Sequence, residues 1–234
     1  MSMPSIANLR LVVGTESAVA VAVLALALAT GCGSSDEGGG GQASSSSSSG
    51  AGGECGFTGS SACSWPSGVN FGIDEGKTLG PGFEWEGYAE GCPTPSTISI
   101  ADFYDCDGSR GINAIYLSSS RFNCSGCAQE SSEMQAKIDG SWGALGIKVI
   151  FAIIQSDDDG PPTIDDVLTY KSQYGLDDAT LIADPSMSFL IGATITTPHI
   201  TIVNPRNMEV TAVQTGYPGP YAAAENLAQQ NASN

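Results

Sequence analysis

The chain has 234 residues and carries 25 acidic against 8 basic side chains, a formal net charge of −17. A surface of that sign repels phosphate backbones, which excludes nucleic acid as a partner, and it equally excludes docking on anionic lipid by a basic face. Acidity on this scale keeps a chain soluble and requires no specific ligand to explain it.

The first thirty-two residues read as an address. Arg10 is the only side-chain cation before an apolar run from Ala18 to Ala29, and Thr30-Gly31-Cys32 follows. The run is about twelve residues, short of the roughly twenty that span a bilayer, and extending it upstream takes Glu16 into hydrocarbon. The layout predicts a signal peptide over residues 1–31. Small residues directly before a cysteine resemble the lipobox of bacterial lipoproteins, with Ala29 where that motif usually has Leu. The resemblance implies cleavage after Gly31, lipid on Cys32, attachment to the membrane through that lipid and, with Gly33 next, sorting to the outer membrane. Residues 32–53 are almost wholly Gly, Ser, Ala and acid, the composition of a disordered tether.

One domain of ordinary size remains. Residues 54–82 are rich in Gly, Ser and Pro, with two cysteines and Trp65 but no periodicity, and form a cysteine-containing extension. From Phe83 the texture changes. Phe83 to Tyr88 alternates apolar and polar, and Ser96 to Phe103 holds a second apolar stretch, so a hairpin or edge strands are expected. Ile112 to Leu117 reads as a buried strand leading through Ser118-Ser119-Ser120 to Cys124-Ser125-Gly126-Cys127, where a helix starts. Cys127, Ser131, Met134 and Ile138 share one helical face, Glu133 and Lys137 form an exposed pair, and Gly140 is the stop.

Ile147 to Ile154 is apolar apart from Lys148, as a strand buried on both faces would be. Thr163 and Asp166 match a capping box that opens a helix to Gly175. Ala179 to Ala183 is the next strand, and Asp184-Pro185 predicts a short helix through Leu190. Thr196-Thr197-Pro198 then precedes a hairpin of His199–Val203 and Met208–Val213, and Tyr221 to Gln230 closes as a last helix.

With Cys32 lipidated, Cys55, Cys63, Cys92, Cys106, Cys124 and Cys127 remain, an even set that an oxidising compartment closes as three disulfides. Joining Cys124 to Cys127 leaves three pairings of the other four. Proximity favours Cys55 with Cys63 and Cys92 with Cys106 as structural staples. Two cysteines separated by two residues at a helix N-terminus close a small disulfide, and the unpaired amides and helix dipole there stabilise a thiolate on the first sulfur. Cys124 is thus the expected nucleophile, and Cys127 the sulfur that resolves the mixed disulfide.

The order of elements, with Cys124-Ser125-Gly126-Cys127 after a strand and Thr197-Pro198 before one, resembles the thioredoxin-like fold in its TlpA-like and redoxin form. The likeness runs from Phe83 to Gln230, within a domain of residues 83–234. It implies an α/β fold with a central mixed sheet flanked by helices, a cis Pro198 beside the cysteine pair, and a substrate groove shaped by Thr197 and Pro198. It implies thiol-disulfide exchange with the thiols and disulfides of exported proteins in the cell envelope, with electrons from a membrane-embedded donor if the protein is a reductant. No cofactor beyond the thiols is implied. Two positions depart from the family: Asn123 stands where tryptophan usually precedes the first cysteine, and Ser118 where thioredoxins place a buried acid. Proton handling at Cys127 is left without an assigned group. Ser125-Gly126 offers no His or Lys to lower the thiolate pKa, although Arg121 is close in sequence, so a reductase or isomerase type is expected.

The competing readings are an inactive thioredoxin-fold binding or structural lipoprotein, a Sco-like copper chaperone and a peroxiredoxin. Sco-type cysteines are separated by three residues, and the chain's only histidine, His199, reads as a partly exposed strand residue. Peroxiredoxins carry Pro and then Thr or Ser where this chain has Leu117 and Arg121. A single Cys-x-x-Cys does not supply the four ligands of zinc, and Phe103 and Ala114 spoil a calcium loop around Asp105-Cys106-Asp107-Gly108, so no metal is expected.

Overall fold

The computed structural model describes residues 63–190 and 196–233. The expected signal peptide, lipid site Cys32, tether and Cys55 lie outside the described residues. Among the described residues, no helix is long and apolar enough to cross a membrane.

Seven strands form one mixed sheet: β1 Glu84–Tyr88, β2 Ser96–Ser99, β3 Ala114–Arg121, β4 Ile147–Gln155, β5 Thr180–Ala183, β6 His199–Asn204 and β7 Glu209–Thr215. Their order is β2-β1-β5-β4-β3-β6-β7. Strands β3, β4 and β5 run parallel, as helical crossovers require, and the hairpins β1–β2 and β6–β7 add antiparallel edges. The central β4 is buried on both faces, which accounts for its unbroken apolar run. Strand β3 continues four residues past the apolar stretch, because Ser118, Ser119 and Ser120 keep the ladder to β4 and β6.

The helices are α1 Ser125–Lys137, the single turn α2 Gly143–Leu145, α3 Ile164–Tyr174 and α4 Tyr221–Ala232. Alternation along the strands sends Tyr116, Phe151, Ile153, Ile200 and Ile202 toward the helices, where Met134, Trp142, Val167, Tyr170 and Leu227 complete one core. The opposite face carries Ile115, Leu117, Ile150 and Ile182 and is covered by Leu79, Phe103, Phe189 and Met208.

The capping box of α3 is present: Thr163 accepts from the Asp166 amide, and the Asp166 carboxylate accepts from the Thr163 amide at 2.8 Å. Helix α1 ends at Lys137 in a wide turn over Ile138–Trp142, in which Gly140 leaves helical geometry with ψ of −117°. Glu133 and Lys137 both turn to Tyr221: its hydroxyl donates to Glu133 at 2.6 Å, and the Lys137 ammonium lies 4.1 Å from the ring centroid.

The helix expected after Asp184-Pro185 is replaced by successive turns. The Asp184 carboxylate accepts from the Ser188 amide at 2.7 Å and from its hydroxyl at 2.8 Å, and Met187 at φ +51° cannot propagate a right-handed helix. The expected staples are corrected as well. Cys63 is joined to Cys106, so neither Cys55–Cys63 nor Cys92–Cys106 forms; Cys92 is buried in the second core. Proximity in sequence misled because the described part of the extension, residues 63–82, is tied to distant segments of the domain. The Leu79 amide donates to Met208 O, the Val210 amide to Lys77 O, and the Tyr104 hydroxyl to Ser64 O.

Candidate active site

Strand β3 delivers the site. A register shift between Ser120 and Arg121 bends its end, and Phe122 and Asn123 turn into α1. The Asn123 side-chain amide donates to Asp157 O at 2.9 Å, fastening this turn to the loop after β4. Cys124 is the N-cap of α1 in extended geometry, and its sulfur accepts from the Cys127 amide at 3.1 Å while bonded to the Cys127 sulfur. The two sulfurs are not equivalent. Cys124 is partly exposed, whereas Cys127 is fully buried one turn into the helix. A partner can reach only the first sulfur, and the helix N-terminus favours negative charge there.

Pro198, in a cis peptide bond with Thr197, lies against the same turn. A Cβ added to Gly126 would stand 3.1 Å from Pro198 Cδ and 3.4 Å from Tyr217 Cβ, so Pro198 and Tyr217 close tightly over this turn. Arg121 ties the pieces together: Nε donates to Thr197 Oγ1 at 3.2 Å and Nη1 to Gln155 Oε1 at 3.0 Å. Tyr217 is exposed beside Gly126, and the Gly216 amide donates to Pro198 O at 2.8 Å. The described structure thus brings Cys124, Cys127, Thr197 and Pro198 together at one end of the sheet.

Strand β3 carries no acid, but helix α1 carries a buried one. Glu130 is fully buried, three residues beyond Cys127 on the same face of α1. Its Oε1 accepts from the Tyr116 hydroxyl at 2.5 Å and its Oε2 from the Ser118 hydroxyl at 2.8 Å. No cation offsets the charge among these contacts, and burial pushes the carboxyl up to about 7 despite the two donors. Glu130 is not evident from the sequence, because a glutamate in a helix ordinarily faces water. The available signal was its spacing of three from Cys127 and four from Met134.

His199 is corrected from partly exposed to buried. Ser118 is opposite Ile200 and Ser119 opposite His199, so the imidazole points to the face away from α1. Burial lowers its pKa, and its Nδ1 has no hydrogen-bond partner. A copper site built from this histidine and the cysteine pair has no support in that placement.

The chain matches none of the known family sequence models and none of the curated proteins. Among solved structures it resembles a reduced 2-Cys peroxiredoxin of Plasmodium vivax, with a TM-score of 0.51 at 12% identity over 68% of this chain and 83% of that one. The fold is thioredoxin-like. A provisionally assigned thiol:disulfide interchange protein, DsbE, of Chlorobium tepidum aligns with a TM-score of 0.49 at 19% identity, over 69% of this chain and 98% of that one. The thioredoxin domain of a Bacteroides vulgatus thiol-disulfide oxidoreductase aligns with a TM-score of 0.46 at 14% identity, over 64% and 96%. At such identities the likeness concerns the thioredoxin-like fold alone. The chemistry must be argued from the site.

Proposed function

We propose that the protein is a thiol-disulfide oxidoreductase of reductase or isomerase type, tethered to the cell envelope through lipid on Cys32 and acting on exported proteins. The observation that carries this reading is the asymmetry of the pair: a reachable Cys124 sulfur is bonded to a buried Cys127 sulfur, with a titratable carboxyl three residues further on. In the reduced protein, the Cys124 thiolate attacks a client disulfide. A Cys124–client bond forms and one client thiolate leaves. Cys127 then passes its proton to Glu130 and attacks the Cys124 sulfur, closing the Cys124–Cys127 bond and releasing the second client thiolate, which takes up a proton. The client is reduced by two electrons and the pair is oxidised by two. Thr197 and Pro198 shape the groove in which the client lies, and a membrane-embedded donor restores the dithiol.

A redox titration of the mature soluble domain, read by alkylation and peptide mass spectrometry, follows Cys124–Cys127 separately from Cys63–Cys106. A midpoint between about −120 and −270 mV is expected for a working pair, whereas one below roughly −300 mV marks a permanent staple and replaces this reading with a binding or structural role. Cys124→Ser is expected to abolish turnover with insulin as client. Unchanged turnover removes the proposal.

A further inference from the structure

The two walls beside Cys124 are joined by a continuous set of hydrogen bonds that the exchange reaction does not itself require. One wall is the Thr197-Pro198 turn, and the other is the loop of Asp157, Asp158 and Asp159 after β4. Arg121 Nε donates to Thr197 Oγ1 at 3.2 Å, and its Nη1 donates to Gln155 Oε1 at 3.0 Å. Gln155 Nε2 in turn donates to Asp159 O at 3.1 Å. Asn123, next to Cys124, closes the circuit with its bond to Asp157 O.

The register of the sheet makes this meeting. Ser120 is opposite Ile153 but Arg121 is opposite Gln155, so the shift skips the apolar Ile154 and sets a side chain that both accepts and donates against the guanidinium. Both acceptors of Arg121 are neutral, so the guanidinium serves here as a planar fork with donors in two directions. The Gln155 amide is equally two-sided: its oxygen takes the fork and its nitrogen holds the loop.

We propose that Arg121 and Gln155 are positioning residues that form a clamp, coupling the Thr197-Pro198 wall to the Asp157–Asp159 wall so that the space for a client over Cys124 keeps a fixed width. This inference rests on the exchange reading for the client, whereas the coupling of the walls stands apart from it.

Two amides report on the walls. That of Gly216 donates to Pro198 O at 2.8 Å and that of Asp159 to Ser156 O at 3.2 Å. Hydrogen exchange at each, followed by NMR in the intact disulfide form, tests the coupling without a client. Gln155→Ala leaves the partners of the Arg121–Thr197 bond in place, and Arg121→Lys keeps the charge but loses the fork. A clamp requires each variant to loosen the wall that the substituted residue does not touch. Exchange is therefore expected to quicken at Gly216 in Gln155→Ala and at Asp159 in Arg121→Lys, by about threefold to tenfold, the worth of one hydrogen bond. Loosening confined to the wall that the substituted residue touches overturns the clamp.

The second readout is insulin reduction. Both variants are expected to raise KM by about threefold to tenfold with kcat within about twofold, and the double variant to be no worse than the more affected single one. An unchanged KM, or full multiplication of the two effects, overturns the positioning role. If the wild type does not reduce insulin, the exchange reading fails and the crosswise hydrogen exchange alone decides the clamp.

Discussion

Two carboxyl groups are fully buried near the two ends of β3, each close in sequence to a disulfide cysteine, and they are held in opposite ways. Asp105, beside Cys106, accepts from the Ile112 amide at 3.0 Å and the Arg110 amide at 3.2 Å and is paired with the Arg206 guanidinium at 3.3 Å. Arg206 also donates to Asp105 O, Ile112 O and Asn113 Oδ1, so the group is locked from several sides. Glu130, beyond Cys127, meets only hydroxyls. A carboxylate with a guanidinium and two amides is a fastening. One with movable neutral donors and no cation is free to change its proton, and that is the one beside the asymmetric disulfide.

The largest effect expected from this contrast concerns the disulfides themselves. Replacing Cys63 and Cys106 together by Ala opens a loop with a sequence separation of 43 and should cost about 4 kcal/mol in urea unfolding, with insulin turnover retained. Opening Cys124–Cys127 by Cys124→Ser should do the reverse. If the distal pair proves necessary for turnover in a folded protein, the division between the two ends fails. Next in size is Arg206→Ala. It strands Asp105 as a buried charge and is expected to cost about 3 kcal/mol, again without moving the midpoint potential of Cys124–Cys127.

Glu130 gives a pH-dependent effect of similar size. Its folded-state pKa, about 7, lies above the ordinary 4.5, so between those values the folded state keeps a proton that the unfolded chain has lost. Stability therefore falls as pH rises through this window and levels off above it. The change is roughly 3 kcal/mol at about 1.4 kcal/mol per pKa unit. Unfolding free energies at pH 4, 6 and 8 should show this slope in the wild type relative to Glu130→Gln. Parallel curves for the two proteins would mean that Glu130 takes up no proton on folding.

The two ends were not equally legible in the sequence. Periodicity located β4 and the β6–β7 hairpin because apolar burial alone makes them, and Thr163 with Asp166 marked α3 because a capping box is local chemistry. The cysteine pair and Thr197-Pro198 were legible as motifs. Ser118 to Ser120 did not read as strand, since a buried serine hydroxyl ordinarily needs a partner, and Ser119 Oγ stays in the sheet without one. The partner of Ser118 is Glu130, twelve residues away on a helix. Cys63–Cys106 and Asp105–Arg206 were hidden for the same reason: each joins segments brought together only by the finished sheet.

The smallest expected change sharpens the comparison from inside the Cys124–Cys127 turn. Gly126 stands in the first turn of α1, where alanine gains up to about 1 kcal/mol of helix propensity. The added Cβ would stand 3.1 Å from Pro198 Cδ, which must yield by a few tenths of an ångström, and 3.4 Å from Tyr217 Cβ, an ordinary contact. Gain and crowding oppose each other, and Gly126→Ala is expected to leave thermal stability within about 1 kcal/mol of the wild type. Turnover should respond more, because the same Cβ narrows the space between Pro198 and Tyr217 beside Cys124. A rise in KM for insulin at nearly unchanged stability places the client in that space. An unchanged KM means that the client approaches Cys124 from the Asn123 side, and Gly126 is then a packing requirement alone.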